Sequence, residues 1–311
     1  MNHHPGSEDQ EMGRGQSVRL AVNIRNWLPN QAQWTHAAQC IQHEEKERVG
    51  KFMFKRDAKS AMVGRLLMRF SLSKILGIPS RALLFGRTEK GKPFLVSPVD
   101  RSSARCDVSF NVSHQGDYVV LAAERGGAVG VDVMKVEWPR NSPVSAFFKT
   151  MHKQFSDREW SEVKRHADEM DQLKVFYRLW CLKESIVKAY GTGIGFEVSR
   201  LNFNLDCRDV REGQVVTSTS VEIDGDLSPE WTFEESYLDG HCIAVAADYT
   251  SNKNRAVPSS SEGESRESSA PAFQVLDIER VLAGCEALTG TGPDRAFWEG
   301  FDRKEEQPGA R

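Results

Sequence analysis

The chain lacks the features that mark several broad protein classes. It has no run of 18 apolar residues and no apolar N-terminal segment of the secretory kind, so nothing in it reads as a membrane span or an export signal. Its six cysteines (Cys40, Cys106, Cys181, Cys207, Cys242, Cys285) form no C-x-x-C pair and stand at no histidine spacing suited to zinc. That scatter argues against a disulfide scaffold or a zinc module and predicts reduced thiols in the cytosol. A large charge of one sign is also missing. The formal net charge is −3 and the pI about 6.3, which argues against a general nucleic-acid binder. What is present is 311 residues with 39% hydrophobic content, enough for one large domain or two small ones with real cores.

Charge is concentrated locally. Between Glu44 and Lys74 lie Lys46, Arg48, Lys51, Lys55, Arg56, Lys59, Arg65, Arg69 and Lys74, opposed only by Glu44, Glu45, Glu47 and Asp57. A basic face on a near-neutral protein suits a polyanionic small molecule or an acidic protein partner. A solvated helix face accounts for the same residues.

Helical periodicity runs from about Glu44 to Leu76, with room for one break, and stops at Gly77 with Pro79 beyond. Leu83–Phe85 and Phe94–Val96 read as strands around Arg87-Thr88-Glu89-Lys90-Gly91-Lys92. Val108–Ser113 and Tyr118–Glu124 follow as strands, then the strand carrying Asp132. Ser156 with Glu159 forms a capping box, and a helix from near Asp171 to Tyr190 ends at Gly191. Parts of this order occur twice. Ser80-Arg81-Ala82-Leu83 is echoed by Ser199-Arg200-Leu201, and Asp117–Glu124 by His241–Asp248, at offsets of 119 (199 − 80) and 124 (248 − 124). The pattern predicts a duplicated α+β unit, with residues 1–17 disordered, an N-terminal lobe over 18–128 and a C-terminal lobe over 129–250. Residues 251–270, rich in Ser, Glu, Lys and Arg, read as a linker. The rest of 251–311 reads as a tail able to dock on the core.

Two segments carry chemistry. Gly130-Val131-Asp132 sits in a strand with alternating Val129, Val131 and Val133. In the later helix Phe176, Trp180, Glu184 and Lys188 recur every four residues, placing a carboxylate on a face with large apolar groups. A carboxylate facing a core needs a cation. Asp132, 52 positions earlier (184 − 132), could supply the second acid of a hard-metal site such as Mg²⁺ on phosphates. On spacing alone, an exposed Glu184–Lys188 pair contributing about 0.3–0.5 kcal/mol and a strand-ending Asp132 explain the same residues.

Gly-Val-Asp followed by Trp180-Cys181-Leu182-Lys183-Glu184-Ser185-Ile186-Val187-Lys188 resembles the two motifs of the 4′-phosphopantetheinyl transferases. The likeness is to the larger, Sfp-like class and its animal members, and it extends from about Trp27 to about Ala247. The resemblance implies a pseudo-dimer of two similar α/β lobes with the active site at the lobe interface. It implies transfer of phosphopantetheine from coenzyme A to a serine of acyl or peptidyl carrier domains, releasing 3′,5′-ADP. Asp132 and Glu184 would hold Mg²⁺, Glu184 directly or through a water would be the base, and Lys188 would sit near the α-phosphate. Coenzyme A would be held by Arg48, Arg87, Thr88, Glu89, Lys90, Gly91, Lys92, Asn111, Val112, Ser113, His114, Asp132, Lys183, Glu184 and Lys188. The implied partners are carrier domains of fatty acid synthase and of aminoadipate-semialdehyde and folate-pathway dehydrogenases. No nucleic acid and no membrane are implied, and the chain would be a cytosolic monomer.

Bacterial relatives often place a second acid two residues after the Asp. Here that residue is Met134, too soft for Mg²⁺, so a water is expected to take the position. Gly191-Thr192-Gly193-Ile194-Gly195 follows a helix instead of opening one and is no dinucleotide fingerprint. A catalytically dead carrier-protein or coenzyme A module, and another Mg²⁺-dependent phosphotransferase or nuclease, are the competing functions.

Overall fold

The computed structural model describes residues 17–97, 108–191, 193–248 and 272–306. Of the start read as disordered (1–17), Ser17 opens a strand and the rest lies outside them, as does the linker read over 251–270. In chain order the first elements are β1 (Ser17–Asn23), α1 (Gln31–Gln39), α2 (His43–Gly50), α3 (Lys55–Leu76), β2 (Leu84–Arg87) and β3 (Pro93–Ser97). Then come β4 (Val108–Gln115), β5 (Tyr118–Arg125), β6 (Ala128–Lys135), α4 (Val144–Met151), α5 (Asp157–Lys164) and α6 (Glu169–Tyr190). β7 (Leu201–Asn204), β8 (Val215–Val216), β9 (Ser220–Ile223), β10 (Asp226–Leu227), β11 (Trp231–Leu238) and β12 (His241–Asp248) follow, and β13 (Gln274–Leu276), α7 (Ile278–Ala283) and α8 (Arg295–Asp302) close the order. Two compact units emerge. One takes the described residues of 1–107, 112–121 and 274–311, the other those of 108–111 and 122–273.

The first unit is organised by α3. The helical stretch predicted from Glu44 to Leu76 is two helices, α2 and α3, separated at 51–54. α3 ends where Gly77 adopts a left-handed conformation (φ 69°), which glycine accepts without Cβ strain. Apolar residues surround α3, with Met62, Val63, Leu66 and Leu67 fully buried. The expected basic face is therefore only partly a face, because Lys59, Arg65 and Arg69 are buried. Their burial has partners. Lys59 donates to the carbonyls of Ile24 and Trp27, and Arg69 lies 2.8 Å from the buried Glu45 carboxylate and donates to the Leu83 carbonyl. Glu45 is also the third residue of a capping box with Gln42. Gln42 in turn bonds both the N–H and the carbonyl of Phe85, tying β2 to this lock. β1 lies between β13, which it meets in parallel, and β5, with β4 beyond. Trp34 of α1 stacks on Phe301 of α8 at 3.7 Å.

The second unit repeats this construction. An antiparallel sheet in the order β6-β12-β11-β8 is overlaid by α6, which like α3 has 22 residues and ends at a left-handed glycine, Gly191 (φ 69°). Glu159, third residue of the capping box begun by Ser156, is buried and lies 3.0 Å from Lys183. Lys183 donates to the Val198 and Leu201 carbonyls, and Glu159 accepts the Phe203 N–H. Arg69 and Lys183, and likewise Glu45 and Glu159, stand 114 positions apart (183 − 69 and 159 − 45). The same buried ion pair thus holds the same turn in both halves. The matching strands β5 and β12 begin 123 residues apart (241 − 118), one fewer than the letter pattern gave. Phe148, Phe155, Trp160 and Phe176 fill the second core.

Candidate functional site

Asp132 owes its position to a glycine two residues earlier. Residues of one parity on a strand share a face, so Gly130, Asp132 and Met134 all turn toward α6. At Gly130 the helix comes so close that an added Cβ would lie 2.0 Å from the Ser185 carbonyl oxygen and 2.4 Å from the Ala189 nitrogen. Small residues on the helix and none on the strand allow this approach. It places Asp132 against the turn that carries Glu184 and Lys188. Asn111 holds the strand from another side, its buried Oδ1 accepting the Val131 N–H at 3.1 Å.

Asp132 is buried, and its Oδ1 accepts from the Lys188 ammonium at 2.5 Å. Lys188 therefore reaches across to the strand, which the reading of Glu184 and Lys188 as a local surface pair did not anticipate. Glu184 is half-buried. Burial, then the like charge of Asp132, raise its affinity for a proton, while Lys188 opposes them. Cys181 lies beside them, but burial and the Asp132 charge push its thiol far up, so it stays protonated and unreactive.

These residues fit a hard divalent cation. Two carboxylates converge, both oxygen donors, and their mutual repulsion is what such an ion relieves. Among the described residues no cluster of three or more His, Cys, Asp or Glu side chains is poised for a metal, and Met134 packs with the second core instead. A cation here would keep several waters, as Mg²⁺ readily does.

The first unit carries a different set of the predicted residues. Arg87 ends β2, and its Nη1 donates to the Gly91 carbonyl, closing the turn before β3. Gly91 adopts φ 86° there, and the Lys92 N–H bonds the Thr88 hydroxyl. Thr88, Glu89 and Lys90 are exposed at the tip, while Lys92 is half-buried and its ammonium is made more acidic by burial. Arg48 of α2 and Arg87 both lie 3.7 Å from the same Glu44 oxygen, so two predicted ligands are neighbours. Val112 is half-buried, Ser113 buried and His114 exposed.

Lys183 departs from expectation. It is wholly buried in the ion pair with Glu159 and the two carbonyls, so it belongs to the fold of the second unit and is not available to a ligand. Sequence reasoning also gave Gly130 no steric role, although Ser185 and Ala189, small residues four apart on the helix, were a usable signal.

A sequence profile described as 4′-phosphopantetheinyl transferase, N-terminal, matches residues 25–126, and one for the 4′-phosphopantetheinyl transferase superfamily matches 128–246. The chain is 40% identical over 293 residues to the L-aminoadipate-semialdehyde dehydrogenase-phosphopantetheinyl transferase of Homo sapiens, covering 94% of this chain and 93% of the relative. Against the protein of the same description from Xenopus laevis the identity is 41%, covering 94% of each. A 4′-phosphopantetheinyl transferase of Bacillus subtilis is 30% identical over 166 residues, 53% of this chain and 66% of that one.

Proposed function

This chain belongs to the 4′-phosphopantetheinyl transferase superfamily, and from that premise we propose a Mg²⁺-dependent transfer of phosphopantetheine from coenzyme A to a carrier-protein serine, releasing 3′,5′-ADP. The carrying observation is the Asp132–Glu184 pair with Lys188 beside it. The serine oxygen forms a bond to the pantetheine-bearing phosphorus as the pyrophosphate P–O bond breaks, and the serine proton passes to Glu184, directly or through a water. A carboxylate whose proton affinity is raised by burial and a neighbouring acid is suited to this task near neutral pH. Lys188, paired with Asp132, is the ammonium beside the acids that would stabilise developing charge on the departing 3′,5′-ADP. Mg²⁺, when bound by Asp132 and Glu184, supplies charge neutralisation across the pyrophosphate. Arg48, Arg87, Lys90, Lys92 and His114 are side chains suited to hold the remaining phosphate and the nucleotide. Substrates on this reading are carrier domains, including those of the dehydrogenase class named in the relatives and of fatty acid synthase. We place the enzyme in the cytosol as a monomer.

Incubating the protein with coenzyme A, Mg²⁺ and an apo carrier, then weighing the carrier, tests the reading. The carrier should gain one phosphopantetheine, with 3′,5′-ADP formed in equal amount, and a chelator should stop both. An unmodified carrier would favour a non-catalytic binding module.

Metal and proton should compete at Glu184. Its raised proton affinity means that the folded, metal-free protein binds a proton more readily than the unfolded chain. Stability is therefore fullest below the ordinary carboxylate range and falls as pH rises through the raised value of Glu184. Mg²⁺ should restore what is lost, so its effect on the melting temperature should grow with pH over that window and vanish in Glu184→Gln. An identical Mg²⁺ effect in wild type and variant, measured by scanning calorimetry, would remove Glu184 from the metal site.

A further inference from the structure

The break between α2 and α3 is closed by Lys304, which stands 254 positions beyond Gly50 in the chain. α2 has eight residues, too few to be stable as a helix unaided. Its start is held by the box of Gln42 and Glu45. At its end the Lys304 ammonium donates to the Gly50 carbonyl at 2.9 Å and to the Phe52 carbonyl. A cation there also matches the negative end of the helix. The next residue serves the other helix. Phe54, the N-cap of α3, forms no side-chain cap, and the Lys55 N–H that opens α3 donates to the Glu305 carbonyl at 2.9 Å. Lys304 and Glu305 therefore finish one helix and start the next.

α8 holds the side of α2. Asp294 caps α8 by accepting the Phe297 N–H and pairs with Lys46 at 2.6 Å. The Lys46 ammonium lies 5.7 Å from the centre of the Phe297 ring. The same ring seats on Gly50, where an added Cβ would meet it at 3.7 Å. At 3.6 residues per turn, residues two apart point about 200° apart. Glu45 and Val49 are buried in the core, and Lys46 and Gly50 meet the tail. Glu44 and Arg48 turn the other way, with Glu44 facing Arg87. Arg48 pairs with Glu44 of its own helix, so the placement of α2 sets where its guanidinium lies.

We propose that Lys304 is a positioning residue for coenzyme A binding. It acts without touching the substrate: by fixing the end of α2 it holds Arg48, two residues before Gly50, where Arg48 can reach the ligand. The inference rests on the assignment of Arg48 to coenzyme A above. It adds residues 294–305 to the parts of the chain on which substrate affinity depends.

The test compares wild type, Lys304→Met, Lys304→Arg, Asp294→Asn and Leu282→Val. Steady-state transfer, melting temperature and amide hydrogen exchange by mass spectrometry are read for each. Leu282 is buried in α7, which packs on α1 and α3, so its variant loosens the same tail away from Lys304. In Lys304→Met the KM for coenzyme A should rise roughly three- to tenfold, part of the worth of a charge-assisted contact. Its kcat should stay unchanged and exchange over residues 43–50 should quicken. Lys304→Arg should recover most of the affinity. Asp294→Asn keeps a good cap on α8 and loses the charge facing Lys46, so it should raise KM by less. Leu282→Val should lower melting with KM unmoved. An unchanged KM in both Lys304→Met and Asp294→Asn overturns the proposal and leaves a structural clasp. An equal rise in Leu282→Val also overturns it, as a general loss of stability. If wild type transfers nothing, the reaction proposed above falls, and calorimetric binding of coenzyme A decides here. Weaker binding to Lys304→Met than to wild type upholds the positioning role, and equal binding, or none by wild type, overturns it.

Discussion

Glu184→Gln is expected to keep the fold and lose the reaction, with kcat down by at least roughly a hundredfold, the lower range of general-base effects. The amide is nearly isosteric, and no hydrogen bond is formed by the Glu184 carboxylate among the described residues, so the change leaves no local partner stranded. What it removes is the negative charge beside Asp132 and a carboxylate whose proton affinity is raised, while Asp132 stays paired with Lys188 at 2.5 Å. Single-turnover transfer to an apo carrier at saturating coenzyme A isolates the chemical step from binding. Wild-type rates in a purified, folded variant would return Glu184 to the status of an ordinary helix residue.

Gly130→Ala should be the most damaging single-methyl change in the second unit. The added carbon would sit 2.0 Å from one backbone atom of α6 and 2.4 Å from another. Neither is the end of a side chain, so the helix itself must retreat. Overpacked cores lose about 1–3 kcal/mol when side chains can adjust, and a backbone clash sits at or beyond the top of that range. Retreat also separates Asp132 from Lys188 and Glu184. We expect a sharp fall in melting temperature and transfer below detection in whatever remains folded. Gly300→Ala is the fitting control: a Cβ there meets nothing within 4 Å, and in α8 it should add about 1 kcal/mol of helix propensity. A Gly130→Ala protein that melts and turns over like wild type would contradict the close seat of α6 on β6.

The letters carried the local architecture well where one principle acted alone. Period-two alternation found β4 and β6, the capping box found the start of α5, and a glycine closed each long helix. They failed where burial and charge compete. Arg65 and Arg69 counted as surface cations because charge usually stays in water, and only the packed structure shows Glu45 drawn inside to meet Arg69. Lys183 was grouped with Glu184 because they are adjacent in the motif. Adjacent helix residues point about 100° apart, and Lys183 falls four after Leu179 and three before Ile186, both wholly buried. The converging acids were legible as a pair. The reason they converge was not, because the absence of a side chain at Gly130 leaves no mark in any count of residue types.

The paired locks, Glu45–Arg69 and Glu159–Lys183, also set the two halves in register. Carrying the 114-residue offset one position further sets Glu184 against Phe70 and Lys188 against Lys74. The strands β1 and β6, each beside its half's matching strand β5 or β12, begin 111 residues apart (128 − 17), which sets Asp132 against Ala21. The skeleton is thus present in both halves, while the acids stand in one of them. Phe70 and Ala21 are core residues, so the places that carry acids in the second half serve packing in the first. Among the described residues, one scaffold built twice therefore pairs an acid of its strand with an acid of its long helix in the second half and apolar residues in the first.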